Sequence, residues 1–364
     1  MGRPAGRPFL LGFQAGTGSN VPAPVTEPVS HRMKIRGISI GYLTVVAVAL
    51  IALLAPVPDN NRGNAFINLV LLLTPVFAIF FLLRPVIARN PNPVSQLASD
   101  FREHWHKVVW AGALYLSLAM SLEVFSGIKK SIPFVMPFYL DPFLVELDRK
   151  LFFGTDPWRI THALFGWATG QIVWLYNAWH MVHIGLAVWV AFSFNEAQKI
   201  RFALVLQFTW LFLGGGLAML MASVGPVMVG DFFGDRSFDP MLAVLSDQAP
   251  SVIMVKDTLI DTMDNPLLIS GISAMPSIHV AISVAAALWL QQQGSRVLTV
   301  IGWAYAAVIY IGSIHLGWHY ATDGMVSAPL VILVWWLAGK YVDWLQGREY
   351  AIALPAPVAE KEPG

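Results

Sequence analysis

The sequence predicts an all-α fold: a polytopic membrane helix bundle with about eight transmembrane helices. Three observations carry that expectation. Of the 364 residues, 56% are hydrophobic and only 12% charged, whereas a soluble domain carries about 25% charged residues. Mean hydropathy is +0.60. Apolar runs of roughly 18–23 residues recur along the chain, long enough for helices to cross a bilayer. Lipid offers no partner for an open sheet edge, so the runs are read as helices.

The elements follow in order. Residues 1–32 are rich in Gly, Pro and Ser and lack the 7–15-residue apolar stretch of a signal peptide; they read as a disordered cytoplasmic tail, with Met33 as a second candidate start. Apolar segments lie near 38–56, 65–83, 108–125, 172–194, 202–224, 278–290, 297–314 and 325–342, the sixth being short and expected to begin a few residues earlier. The organisation predicted is two extra N-terminal helices over 33–107, a six-helix core over 108–348, and a disordered C-terminal tail over 349–364. Arg32, Lys34, Arg36, Arg89, Arg102, Lys107, Lys199, Arg201, Arg296, Lys340 and Arg348 all fall in connections on one side. By the positive-inside rule both termini are then cytoplasmic.

The remaining composition excludes whole classes of chemistry. With no cysteine there is no disulfide, thiol catalysis or thiolate metal site. A net charge of +1 gives no reason to expect nucleic acid as a partner.

One outer connection departs from the charge rule. Residues 126–171 carry Lys129, Lys130, Arg149, Lys150 and Arg159. The stretch "DPFLVELDRKLFFG" suits an interfacial helix with snorkelling cations; alternatively some of these cations, Lys129 and Lys130 foremost, meet an anion on the outer face. His180 and His183 are read as partnered core histidines, "LGGGL" (213–217) as close helix packing, and the acidic residues of 225–277 as a solvated loop over the site.

The chemistry-bearing residues are intramembrane ionisable groups, which are functional by default. In "SAMPSIHV" (273–280), Pro276 and Ser277 suit a helix start, where free N–H groups form an anion site. Because spans six and seven are antiparallel, His279 returns to the level of "SIHLGWHYATDG" (313–324). In that second motif His319 and Asp323 form an i,i+4 pair if helical. A carboxylate there holds one ring proton and frees the other nitrogen as nucleophile or base. His315 lies one turn back and could donate to a developing phosphate charge. A metal site, a phosphate-transfer site and a buried structural network are all compatible with these residues alone.

"PSIH" followed by "HYATD" resembles the type 2 phosphatidic acid phosphatase superfamily. That resemblance implies a phosphohistidine on His319, oriented by Asp323, with His279 protonating the leaving group and Ser277 binding phosphate. It implies a metal-independent, cofactor-free enzyme acting on membrane lipids, with a phospholipid donor, a lipid or water acceptor, and the site on the outer, periplasmic or lumenal face. The departures are Ile278 for Gly, Gly312-Ser313 for Ser-Arg, and Lys129…Met136-Pro137 for a first signature that ends Arg-Pro. His315 is a candidate to replace the missing Arg. These departures, with "DRKLFFGTDPW" and "ASVGPV", look like the branch of inositolphosphotransferases and inositol phosphorylceramide synthases. Two other classes remain open: a metal-dependent membrane lipid hydrolase using His315, His319 and Asp323, and a non-enzymatic transporter.

Overall fold

The computed structural model describes residues 32–54, 92–193, 195–263 and 271–353. The chain divides into two compact units. The described part of the smaller, residues 1–35 and 350–364, is a ribbon of β1 (Arg32–Arg36) with β2 (Glu349–Ala353). The tail expected from residue 349 therefore begins as a strand; its remainder, and residues 1–31, lie outside the described residues.

The larger unit, 36–349, is helical. It runs α1 (Gly37–Ala52), α2 (Pro93–Val135), α3 (Asp141–Leu151), α4 (Pro157–Phe165), α5 (Thr169–Asn177), α6 (Trp179–Phe192) and α7 (Glu196–Phe208), which continues through π-helical turns over Thr209–Leu217 to Leu220. After a short turn at Val229–Phe233 come α8 (Asp239–Gln248), α9 (Pro250–Asp261), α10 (Ile278–Gln292), α11 (Arg296–His315) and α12 (Ala321–Leu345). Among the described residues, four stretches are long and apolar enough to cross a membrane: Val109–Val135, Glu196–Leu220, Arg296–His315 and Ala321–Leu345. α1 and α10 are apolar but shorter. Their exposed faces carry Leu50, Val109, Phe212, Ile301, Leu333 and Trp336, the outward apolar surface expected of helices solvated by lipid.

The boundaries differ from the apolar pattern for local reasons. The expected span at 65–83 lies outside the described residues. That at 172–194 is two helices broken at Ala178, and the break turns the Trp179 indole to donate to the His279 carbonyl at 3.1 Å. The sixth does not start early: the cis Met275–Pro276 bond precedes Ser277, whose hydroxyl caps Val280 N–H at 3.3 Å, so α10 begins at Ile278. Pro276 thus sits before the cap, outside the first helical turn. The eighth starts four residues sooner than its apolar run, at Ala321, because two carboxylates satisfy its first N–H groups.

Antiparallel α10 and α11 form the most extensive helix pair, and α12 and α7 pack against α10 in turn. Polar glue is sparing: the Gln207 amide donates to Ser121 Oγ at 3.1 Å and to the Val45 carbonyl at 2.9 Å, tying α7 to α2 and α1. Gly214, in the predicted packing stretch, lies so close to Phe125 and Ile278 that no Cβ would fit. The connection after α7 is more than a solvated loop. It folds into α8 and α9, with Lys256 bonded to Asp231 at 3.0 Å and Asp235 capping Ser237 N–H at 2.8 Å.

Candidate active site

The site forms where the connections at one end of α7, α10 and α11 cross beneath α3. Val224 and Gly225 turn on a left-handed glycine (φ +89°) whose Cα side lies against the Trp318 carbonyl. Val227 N–H donates to the Gly317 carbonyl at 2.8 Å, and Met275 N–H to Ser223 Oγ at 3.0 Å. Three loops are thereby locked into one layer.

α3 fastens that layer. It is amphipathic, with Asp141, Leu144, Val145 and Asp148 buried and Phe143 and Leu151 exposed. Asp141 accepts the Val224 N–H at 3.0 Å, the Gly225 N–H at 2.9 Å and the Tyr320 hydroxyl at 2.9 Å. Asp148 accepts the Ala321 and Thr322 N–H groups at 2.7 and 3.0 Å. Burial pushes both carboxyls above the usual range, while the hydrogen bonds they accept pull the other way.

His319 lies just outside α12, since Tyr320 is the N-cap. The expected i,i+4 pair with Asp323 forms across the cap and not along a helix: His319 Nδ1 is 3.1 Å from Asp323 Oδ2. The same nitrogen is 2.8 Å from the Ala274 carbonyl. Both partners only accept, so the hydrogen-bond network assigns the proton of the neutral ring to Nδ1. Nε2 is left as the lone-pair nitrogen and makes no hydrogen bond among the described residues. Asp323 is fully buried; its Oδ2 also accepts the Tyr320 N–H at 3.0 Å.

His279, in the first turn of α10, has its ring centroid 5.7 Å from that of His319. It is stacked on Tyr176 at 4.9 Å and packed by Trp179 at 4.4 Å. The sequence expectation that His279, His319 and Asp323 meet at one level is the geometry observed. Ser277 is a buried N-cap in the same layer, its N–H 3.5 Å from the Asp323 carbonyl. Lys129 reaches this side from α2; it packs on Gly271 and lies within electrostatic reach of His279 and His180. Lys130, half-buried, forms no ion pair among the described residues. His180 joins the aromatic cluster at 6.3 Å from His279, and His183 packs between Trp179 and Trp210.

His315 is placed differently from its expected role. It is fully buried, its ring centroid is 4.3 Å from that of His162, and its Nε2 is 3.0 Å from Thr169 Oγ. That hydroxyl donates to the Gly166 carbonyl, so His315 Nε2 donates to it. His162 Nε2 donates to the His315 carbonyl at 2.8 Å. His315 therefore knits α11 to α4 and α5. No three His, Asp or Glu side chains converge as a metal-ligand group among the described residues, so the trio of His315, His319 and Asp323 is not assembled.

The position where the resemblance expects Ser-Arg is also explained. Gly312 packs directly on Tyr176 and Ile172, and Ser313 is buried, donating to the Tyr310 carbonyl at 2.7 Å. Ser313, at the position of the expected Arg, is thus turned to its own helix backbone. One cation lies beside the site: Arg149 bridges Asp156 Oδ1 at 2.5 Å and Ser237 Oγ at 2.9 Å. Asp156 in turn lines a narrow cavity with Asp148, Trp158, Phe238, His319 and Tyr320.

Sequence reasoning missed Asp141, Asp148, Tyr320 and Asp156. The signal available was the seven-residue spacing of Asp141 and Asp148, two turns on one face, with Leu144 and Val145 between them on that face.

No curated protein and no solved structure matches the chain. A family model described as the PAP2 superfamily matches residues 142–337, just over half of the chain. The match takes in Asp148, Ser277, His279, His315, His319 and Asp323, and leaves Lys129 and Lys130 outside. With apolar helices of spanning length around this site, the protein is of membrane phosphatase type, and the chain belongs to the PAP2 superfamily.

Proposed function

We propose that this protein moves a phosphoryl or phosphodiester group from a membrane lipid through a covalent His319 intermediate, as an inositolphosphotransferase-like enzyme. The observation that carries this reading is the pair of acceptors on His319 Nδ1. They fix the ring proton there and leave Nε2 nucleophilic, in the manner of a carboxylate-oriented imidazole. Nε2 attacks phosphorus as the P–O bond to the departing group breaks. His279, adjacent to His319, gives its proton to the leaving alkoxide. In the second half, His279 removes a proton from the acceptor hydroxyl, oxygen attacks phosphorus, and the P–N bond breaks. Asp323 stabilises the positive charge on the substituted ring.

Ser277, Lys129 and Lys130 are proposed to meet the phosphate. His315 is assigned to the framework instead, in view of its Thr169 and His162 contacts. The branch assignment rests on the departures at Met136, Ile278, Gly312 and Ser313, and the acceptor distinguishes a transferase (lipid or polyol hydroxyl) from a phosphatase (water). The proposed topology has eight spans, both termini cytoplasmic and the site on the outer face, supported by the one-sided Lys and Arg distribution.

The test is product analysis by thin-layer chromatography on purified protein in excess chelator. Donors are phosphatidic acid, a polyprenyl diphosphate and phosphatidylinositol, each with and without ceramide or diacylglycerol. Turnover that survives chelation and is absent from His319→Ala supports the reading, and the product identifies the acceptor. Loss of wild-type turnover on chelation would overturn it in favour of metal-dependent hydrolysis.

A further inference from the structure

Asp148 lies outside the residues that the family resemblance assigns, and it sits 171 positions from His319 in sequence, yet it is bonded to the turn that carries that histidine. The N-terminus of α12 offers three N–H groups in a row. Tyr320 N–H goes to Asp323 Oδ2, and Ala321 and Thr322 N–H go to the two oxygens of Asp148. Asp323 Oδ2 must also receive His319 Nδ1–H. Its other oxygen, Oδ1, is buried with no hydrogen-bond partner among the described residues.

That division of acceptors has a chemical consequence. Free N–H groups in a first helical turn seek an acceptor, and the commonest one is a side chain of the same turn. In α12 that side chain is Asp323. Were Asp148 absent, two buried donors would be orphaned beside a carboxylate with a vacant oxygen. Asp323 would rotate toward them and away from His319 Nδ1. Asp141, two turns earlier on α3, holds the same turn from the other side through the Tyr320 hydroxyl.

We infer that Asp148 is a positioning residue: by taking the Ala321 and Thr322 N–H groups it reserves the Asp323 carboxylate for His319 and so sets the histidine's tautomer and orientation. This rests on the proposed role of His319 but predicts a structural signature that exists without turnover. Outer-sphere partners of this kind typically change activity by about 10–100-fold.

The experiment uses the full chain in detergent or nanodiscs, labelled with ¹⁵N-histidine, as wild type, Asp148→Asn, Asp148→Glu and Asp323→Asn. The His319 resonances are identified by their loss in His319→Gln. Wild type should show a protonated Nδ1 and a bare Nε2. Asp323→Asn should disturb that pattern, and Asp148→Asn should disturb it in the same direction although it does not touch the ring. Asp148→Glu, which keeps two carboxylate oxygens, should restore most of it and separates the effect from loss of fold. On whichever donor turns over, kcat of Asp148→Asn should fall roughly 10–100-fold with KM within about threefold. If Asp148→Asn lowers Tm while leaving the His319 resonances and kcat at wild-type values, Asp148 is only a helix cap and the inference is overturned. If no donor turns over in wild type, the proposed function fails, and the resonance shifts still decide the positioning claim.

Discussion

His315 and His319 stand four residues apart in one short motif, and their surroundings have little in common. His319 has two acceptors on Nδ1, an Nε2 with no hydrogen bond among the described residues and a second imidazole 5.7 Å away. His315 spends Nε2 on a threonine hydroxyl, packs its ring at a tilt against His162 and has no carboxylate partner among the described residues. What separates them is the turn between. α11 ends at His315, and Gly317 takes a left-handed φ of +71°. The chain therefore reverses before His319, and the two rings point into different walls. Spacing alone would have put them on one helical face; what sets a histidine's chemistry is which of its nitrogens is left free.

The largest expected effect lies on the His319 side. His319→Ala should lower kcat on any accepted donor by about 10³-fold or more, as should His279→Ala in the first half-reaction, read as product formed per minute. Asp323→Asn should follow at roughly 10²-fold, with KM nearly unchanged, because the ring remains but its tautomer is no longer imposed. Any of these three variants retaining wild-type turnover would break the contrast at its stronger end.

The next effect sharpens the other side. His315→Ala should keep kcat within about threefold while lowering Tm, since it removes the buried donor to Thr169 Oγ and the ring packed against His162, at a cost of about 1–3 kcal/mol. A loss of turnover equal to that of His319→Ala, at unchanged Tm, would return His315 to the phosphate. The smallest effect is expected on the outer face of α3. Glu146 pairs with Lys150 at 2.6 Å, both side chains about two-thirds exposed (66% and 69%). Glu146→Gln should leave Tm and turnover unchanged, in contrast to Asp148 two residues further along on the inner face.

Much of the site was legible in the sequence because its logic is topological. Two apolar runs joined by a short turn must be antiparallel, so His279 and His319 had to return to one level. The Asp323 partnership followed from spacing, although the helix begins only at Ala321 and the pair closes across its cap. What could not be read depends on contacts distant in sequence. Asp148 acts on backbone N–H groups 173 and 174 positions away, and a backbone donor carries no residue identity to search for. The missing Arg could be noted, but not that the serine in its place, Ser313, is buried and donates to the Tyr310 carbonyl. The break at Ala178 is marked in the sequence only by Asn177, His180 and His183 within an otherwise apolar run; its effect shows in the placement of Trp179 against His279.

The most direct test of the central claim is to find where the transferred group rests. Wild-type protein turning over a lipid donor in excess chelator would be quenched in alkali, where a phosphorus–nitrogen bond persists, and its peptides mapped by mass spectrometry. The account predicts a phosphoryl or phosphodiester adduct on His319 and none on His279 or His315. An adduct on another side chain, or wild-type turnover in His319→Ala, would contradict it.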